Sequence, residues 1–213
     1  MIKKVLKPLI PEAVRKHRLQ KKHRELYDAW LKNGKPVPPP HIVKQMAITE
    51  YQARSNYQTL VETGTYMGDM IEAQKENFST IYSIELSEDL FKKAVKRFKQ
   101  DEHVAIIKGD SEKMMPEVLK KVTKPAIFWL DGHYSAGPTA RGDKDCPIYG
   151  ELDAIFENKQ VDHIILIDDA RDFNGTHDYP SLDELEDYLK TRRPNYQMEV
   201  KDDIIRLNTK PSQ

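Results

Sequence analysis

Cysteine is nearly absent from this 213-residue chain, and long hydrophobic runs are missing altogether. The single Cys146 excludes an internal disulfide and a zinc site built from several cysteines, which is typical of a reducing cytoplasm. No apolar run approaches the roughly 18 residues that a transmembrane helix needs. The basic N-terminus lacks an apolar core followed by a small-residue cleavage site, so we expect no secretory signal and a cytoplasmic location.

The chain also has no net charge, but its charges are unevenly distributed. Residues 1–35 contain eleven Lys/Arg against three Asp/Glu, so a basic arm precedes an acidic body. Several interpretations stay open: a solvated helix that folds back on the body, an arm exchanged between subunits of a homo-oligomer, or recruitment to an anionic membrane or polymer. Nucleic-acid binding is a further interpretation, although one basic helix without interleaved aromatic residues supports it poorly.

The three-glycine fingerprint of dinucleotide-binding proteins is missing as well. The apolar run TLVE enters a turn at Gly64, and Tyr66 and Met67 separate Gly64 from Gly68. A second apolar run, TIYSIE, ends in Glu85. This layout is typical of a nucleoside-binding βαβ unit, in which the turn lets the backbone approach the ligand and the acid accepts hydrogen bonds from ribose hydroxyls. A pyrophosphate would meet side chains here, so the pattern favours a nucleoside without phosphates, of which S-adenosylmethionine (SAM) is the common one.

Strand and helix patterns alternate through most of the chain. Short, nearly unbroken apolar runs predict strands of a parallel sheet buried on both faces, near 58–62, 80–85, 103–108, 125–131 and 163–168. Helical patterns lie between them, near 68–77, 87–100, 111–123 and 148–159. A final helix and two alternating runs that read as a hairpin follow Pro180.

The proline-rich segment 35–40 is the clearest internal boundary. It divides a basic helical arm with its connector, residues 1–40, from a domain that spans residues 41–213. A helix predicted near 41–56 opens that domain.

Three aspartates follow two of the predicted strands. Asp131 ends IFWLD, and Asp168 and Asp169 end IILIDD. If the two strands are parallel neighbours, three carboxylates converge at one edge of the sheet, which is unfavourable without a counter-charge. A hard divalent cation, Mg²⁺ above all, would supply it. The alternative is an Asp pair that caps the next loop, with Asp131 merely lining a pocket.

Five motifs in order resemble one family: VETGTYMG, IYSIEL, IIKGDS, IFWLDGHY and ILIDDAR. They are similar to class I SAM-dependent methyltransferases, and more narrowly to the metal-dependent small-molecule O-methyltransferases of the catechol and macrolide-sugar types, over roughly residues 57–207. The resemblance implies a Rossmann-like α/β fold. We expect a three-layer αβα sandwich with a mostly parallel seven-stranded sheet, an antiparallel C-terminal hairpin and additional N-terminal helices.

The resemblance also implies residue roles. Gly64 would let the backbone approach the methionine part of SAM, Glu85 would hold the ribose, and Asp110 with Ser111 would contact the adenine edge. The full cofactor set is Glu62, Gly64, Tyr66, Gly68, Glu85, Asp110, Ser111 and Asp131. The family carries its metal at the ends of the fourth and fifth strands, and Asp131, Asp168 and Asp169 match that pattern.

Proton removal from an acceptor hydroxyl needs a base, and His133 lies two residues after Asp131. His177 is the second candidate, whereas His163 precedes its strand and is expected to be structural. The catechol type places a lysine base in the region that reads GHYSAG here, so the identity of the base stays open.

The loop from residue 133 to 147 is long, polar and glycine-bearing, which is typical of a functional loop. Its Arg141 and Lys144 could grip a phosphate or carboxylate on the acceptor, with Tyr134 beside them; the alternative is that these are ordinary solvated charges. Such contacts suit a sugar phosphate, a nucleotide sugar or an acidic glycan.

The sequence thus predicts a Mg²⁺-assisted, SAM-dependent O-methyltransferase acting on a sugar-type small molecule. Three alternatives stay open. One is an RNA or protein methyltransferase that uses the basic arm, although no Asn-Pro-Pro-Tyr motif is present. The others are a nicotinamide oxidoreductase, which would need the missing glycines, and a non-catalytic scaffold that binds the cofactor or a metal.

Overall fold

The computed structural model describes residues 12–132, 146–157, 159 and 161–209. Two helices precede the sheet, α1 (Glu12–Lys32) and α2 (His41–Ser55). The alternating part consists of β1 (Thr59–Thr63), α3 (Asp69–Gln74), β2 (Thr80–Glu85), α4 (Glu88–Arg97), β3 (Val104–Lys108), α5 (Ser111–Leu119), β4 (Ile127–Leu130), α6 (Ile148–Glu157) and β5 (Ile164–Ile167). A 3-10 turn (Ala170–Asp172), α7 (Leu182–Arg192), β6 (Tyr196–Lys201) and β7 (Ile204–Thr209) follow.

One seven-stranded sheet joins the strands in the order β3-β2-β1-β4-β5-β7-β6. Strands β1 to β5 are parallel, whereas β7 pairs antiparallel with both β5 and β6. The predicted parallel sheet with a closing antiparallel hairpin is therefore confirmed. The strand order reverses between β1 and β4, and open α/β sheets bind their ligands at such a point, outside the carboxyl ends of the strands.

Helices cover both faces of the sheet, as strands that are buried along their whole length require. Met115 of α5, Leu152 of α6 and Leu185 of α7 belong to the apolar cluster on one face. Ile48 of α2 and Ile71 of α3 belong to the cluster on the other face. The predicted three-layer αβα sandwich is thus confirmed.

The basic helix α1 meets the body at its C-terminal end. Trp30 is buried there, and its indole Nε1 donates a hydrogen bond to the carbonyl of Pro36 at 2.9 Å. Lys35 Nζ lies 2.9 Å from Oδ1 of Asp202, in the turn between β6 and β7. The end of the arm, just after α1, therefore contacts the body through Lys35. Among the described helices, none is long and apolar enough to cross a membrane.

Candidate active site

The turn after β1 is pressed against the end of β4. Gly64 has φ 82°, and its N–H donates to the carbonyl of Ile84 at 3.0 Å. A Cβ atom at this position would lie 2.2 Å from the backbone oxygen of Asp131. Glycine is therefore required here because a side chain would collide with the backbone of Asp131, whether or not a ligand also approaches this turn. The predicted cofactor turn and the first predicted metal ligand are in direct contact.

The second glycine of the turn is held by α4. Gly68 has φ 78°, and a Cβ atom there would lie 2.6 Å from the ring of Phe98. Arg97 donates to the carbonyl of Met67 and, at 2.7 Å, to Oδ1 of Asp69. Tyr66 has φ 47°, and about half of its side chain is exposed. Arg97 and Phe98 therefore hold the turn in place, and the Tyr66 ring remains accessible to a ligand.

Glu62 is buried at the end of β1. Ser83 on β2 donates its hydroxyl proton to Oε2 of Glu62, and Thr65 Oγ1 lies 2.6 Å from Ser83 Oγ. Burial raises the pKa of Glu62 to about 8, and the nearby carboxylates of Asp131 and Glu85 add to the shift. Glu62 is therefore uncharged at neutral pH, and a positively charged ligand at the turn would favour its ionised form.

Glu85, the predicted ribose ligand, connects two loops. Its Oε2 accepts the N–H of Tyr66 at 2.8 Å, and its Oε1 accepts the N–H of Ser87 at 2.7 Å. The carboxylate is buried at the end of β2. Glu85 thus orders the loops after β1 and β2, and each oxygen has capacity for a further hydrogen bond.

The loops after β3 and β4 approach each other at Ser111 and Gly132. Asp110 caps α5, since its Oδ1 accepts the N–H of Glu112 at 3.0 Å. A Cβ atom on Gly132 would lie 3.0 Å from Thr63 Oγ1 and 3.2 Å from Ser111 Oγ. The predicted adenine-side residues are therefore adjacent to the loop that follows β4.

Asp131, Asp168 and Asp169 converge at the carboxyl ends of β4 and β5, as the sequence predicts. One carboxylate oxygen from each lies within 4.8 Å of the others. Asp168 is fully buried, and Asp169 has φ 55°. These three residues are called the acidic cluster below, and their oxygens are of the type that hard divalent cations prefer.

A lysine of α2 reaches into the acidic cluster. Lys44 Nζ donates to Oδ2 of Asp168 and lies 3.2 Å from Oδ1 of Asp169, and its side chain is only 15% exposed. Arg171 donates to the same oxygen of Asp169 at 2.8 Å and also binds Asp203. The protein itself therefore supplies part of the counter-charge that the sequence analysis assigned to a divalent cation.

The charges of the cluster shift one another's ionisation. Burial, and next the carboxylate of Asp131, raise the pKa of Asp168 to about 8, while the Lys44 ammonium opposes this shift. Burial acts to lower the pKa of Lys44, but Asp168 and Asp169 outweigh it and raise that pKa. Lys44 is therefore a stable ammonium that offsets part of the negative charge of the acidic cluster.

Of the three histidines considered as the base, two lie within the described residues, His177 and His163. His177 is exposed in the loop after the 3-10 turn, with φ 54°, and no hydrogen bond within the described part of the chain joins it to the acidic cluster. His163 is buried beneath the other end of the sheet, where Nδ1 accepts the N–H of Ala126 at 3.2 Å. Its backbone N–H donates to the hydroxyl of Tyr196 at 2.7 Å. The structural role predicted for His163 agrees with these contacts.

The remaining predicted residues lie between positions 133 and 144 of the sequence. The first candidate base and the three candidate acceptor ligands lie outside the described residues; they are His133, Tyr134, Arg141 and Lys144. Their roles stay predictions from the sequence.

Neither Lys44 nor Arg171 was indicated as a site residue by the sequence motifs. A signal for Lys44 exists, because Ala47, Ile48 and Tyr51 are buried on α2 and lie three, four and seven residues after it. A lysine on the apolar stripe of a helix needs an acidic partner inside the protein. For Arg171, the only signal is its position two residues after the aspartate pair.

Comparisons with known proteins support the fold. No family model matches the sequence, and no curated protein sequence matches it. Three similar solved structures are methyltransferases. The O-methyltransferase from Bacillus cereus, in complex with S-adenosylhomocysteine (SAH), has a TM-score of 0.58 and 13% identity, covering 97% of this chain and 94% of that one. The SAH-bound methyltransferase PaMTH1 from Podospora anserina has a TM-score of 0.57 and 16% identity, covering 96% and 100%.

The third is the O-methyltransferase TomG from Streptomyces achromogenes, involved in tomaymycin synthesis and in complex with SAM. It has a TM-score of 0.55 and 14% identity, and the match covers 88% of each chain. At such identities the likeness concerns the fold. It confirms the fold implied by the sequence motifs: the chain has the fold of these methyltransferase structures, and its glycine turn, Glu85 and the acidic cluster lie at the carboxyl ends of the parallel strands.

Proposed function

We propose that this chain is a SAM-dependent O-methyltransferase that methylates a hydroxyl group of a sugar, a nucleotide sugar or a glycan-type small molecule. One observation carries the proposal: Gly64 contacts the backbone of Asp131, so the proposed nucleoside-binding turn lies directly beside the acidic cluster. In-line methyl transfer requires donor and acceptor to be held side by side, and such orientation can contribute about 7–11 kcal/mol.

The carboxyl ends of β1, β2 and β3 would hold SAM, which supplies an electrophilic methyl group on a sulfonium. The turn from Gly64 to Gly68 would bind the methionine part, and Asp110 with Ser111 would contact the adenine. Glu85 would bind the ribose hydroxyls with the hydrogen-bonding capacity that the Tyr66 and Ser87 amides leave free.

Mg²⁺ is the cation that we propose for the acidic cluster, where it would lower the pKa of the acceptor hydroxyl. Three converging carboxylates are a suitable donor set for such an ion. Lys44 contacts oxygens of Asp168 and Asp169, so its ammonium has to leave these oxygens when a cation binds to them. Arg171 shares Oδ1 of Asp169 with Lys44 but also binds Asp203, and this second contact would keep the loop after β5 in place.

The acceptor class is proposed from the sequence of the loop after β4. Arg141 and Lys144 would bind a phosphate or carboxylate on the acceptor, and Tyr134 would contact its ring. His133 would accept the hydroxyl proton, with His177 as the alternative base. These residues suit a small acidic sugar better than an uncharged phenol.

The first test is a calorimetric titration of the purified protein with SAH, with and without Mg²⁺. Micromolar binding would support the proposal, and no binding in either condition would refute it. Glu85→Ala should weaken the binding, because the variant loses both the ribose ligand and the bond that orders the turn. Glu76→Ala changes an exposed carboxylate near α3 and serves as the matched control.

The second test addresses the reaction. Methyl-labelled SAM is incubated with sugar phosphates, nucleotide sugars and catechols, and label in the acceptor is measured by mass spectrometry. Label transfer to the first two classes is expected, and transfer to catechols alone would contradict the acceptor assignment. Asp183→Asn, on the exposed face of α7, is the control for the Asp168→Asn variant.

A further inference from the structure

We propose that Lys44 competes with the divalent cation for the acidic cluster, and thereby sets the cation affinity of the site. The inference rests on the divalent cation of the proposed function and concerns a residue of α2, outside the motifs that the family resemblance covers. It is a proposal about binding, so it can be tested without turnover.

The contacts of Lys44 place its ammonium between two of the three carboxylates. Its Nζ bonds Oδ2 of Asp168 and lies 3.2 Å from Oδ1 of Asp169, and the side chain is 15% exposed. Mg²⁺ requires oxygen ligands at about 2.0–2.1 Å. A cation bound by both aspartates therefore needs the space and the lone pairs that the ammonium takes, so the two positive groups exclude each other.

Release of Lys44 does not require α2 to move. The helix is anchored by Val43, Ala47, Ile48 and Tyr51, all of which are buried. The lysine side chain has four methylene groups and can rotate toward solvent while its backbone stays in place. The exchange between ammonium and metal is therefore a side-chain movement within a fixed frame.

The competition has two consequences. Without a divalent cation, Lys44 neutralises part of the acidic cluster and keeps its carboxylates together. A cation that binds must displace the Lys44 ammonium, which is tethered to the protein and therefore always present at high local concentration. The affinity of the acidic cluster for the cation is thus lower than three carboxylates would provide without the lysine. The site then binds its metal reversibly, in contrast to a closed structural site.

The experiment measures Mg²⁺ and Mn²⁺ binding to the full-length protein by calorimetry, with wild type, Lys44→Met and Lys35→Met. Lys35 pairs with Asp202, which is not one of the three aspartates, so its variant removes the same charge without removing a contact of the acidic cluster and serves as the matched control. We expect the dissociation constant of the cation to fall at least tenfold in Lys44→Met and to stay at the wild-type value in Lys35→Met. Equal dissociation constants in wild type and Lys44→Met, or no binding to either, would overturn the proposal.

Two further measurements keep the test decisive if Lys44→Met folds poorly. Lys44→Gln removes the charge but retains a hydrogen-bond donor for Asp168, and it should also bind the cation more tightly. In the wild-type protein, Mg²⁺ should increase acylation of Lys44 by an amine-reactive reagent, as read by mass spectrometry, and leave Lys35 unchanged. No increase at Lys44 would overturn the proposal.

The titrations with SAH separate the two proposals. Absence of SAH binding both with and without Mg²⁺ would refute the methyltransferase function while leaving the competition at the acidic cluster intact. Unchanged cation affinity in the Lys44 variants would refute the competition alone.

Discussion

Replacing Glu62 by glutamine is expected to stabilise the folded protein at alkaline pH and to have a small effect at acidic pH. Glu62 is 2% exposed, and burial raises its pKa from 4.5 to about 8 in the folded state. In the unfolded chain the carboxyl group is solvated and ionises near its ordinary pKa. Glutamine cannot ionise, and its carbonyl oxygen can still accept the hydroxyl proton of Ser83.

The size of the effect follows from the two pKa values. Between pH 4.5 and pH 8 the folded state of the wild type retains a proton that the unfolded state has released, so its free energy of unfolding falls as the pH rises. At about 1.4 kcal/mol per pKa unit, the full loss is about 4–5 kcal/mol. Between pH 5 and pH 8.5, the gap in stability between Glu62→Gln and wild type should widen by about 4 kcal/mol.

Urea denaturation of both proteins at the two pH values measures this gap. Titrating groups that do not interact with Glu62 affect both proteins alike, so their contributions cancel in the difference. Glu76→Gln, which changes an exposed carboxylate, is the control. A gap of the same size at pH 5 and pH 8.5 would refute the conclusion that burial keeps Glu62 protonated.

Three further predictions concern other parts of the molecule. Gly64→Ala should destabilise the fold by more than the roughly 1–2 kcal/mol that alanine costs in the left-handed backbone conformation, because its Cβ atom would collide with the Asp131 carbonyl. Gly34 has φ 78° and no atom near the added methyl group, so Gly34→Ala measures the backbone cost alone in denaturant melts. Burial lowers the pKa of His163 to about 4, so the unfolded state takes up the proton first and the wild type loses about 3 kcal/mol of its free energy of unfolding between pH 6.5 and 4. His163→Gln should not show this loss, and a free energy of unfolding that falls with pH as steeply as in the wild type would contradict the prediction. Asp168→Asn should reduce turnover and its dependence on Mg²⁺ while SAH affinity stays within a few-fold, and equal losses of both would count against the metal assignment.

The order of strands and helices could be predicted from the sequence because each buried strand is a short apolar run between polar turns. The strand expected near 58–62 is Thr59–Thr63, and the one near 80–85 is Thr80–Glu85. Helix ends were less accurate: the helix expected to continue to residue 123 ends at Leu119. Apolar residues such as Val122 continue past that end and pack in the core, so periodicity alone does not mark it.

The acidic cluster could be predicted for a related reason. Parallel neighbours bring their carboxyl ends to one edge, so two runs that end in aspartate imply the convergence that Asp131 and Asp168 show. The position of Lys44 could not be derived in this way. It depends on how α2 packs against the sheet, and Lys44 and its partner Asp168 are more than a hundred residues apart in sequence. The collision that makes Gly64 necessary likewise involves the backbone of a distant loop.

The contact between Gly64 and the Asp131 carbonyl would link the two halves of the proposed site thermodynamically. No side chain lies between the two backbones, so a ligand that displaced one loop would press on the other. Coupling between two binding sites is reciprocal: any factor by which a bound cation changes the affinity for the nucleoside is also the factor by which the nucleoside changes the affinity for the cation. A small change at this one joint, such as an added methyl group, would therefore alter the cooperativity of the site as well as its stability.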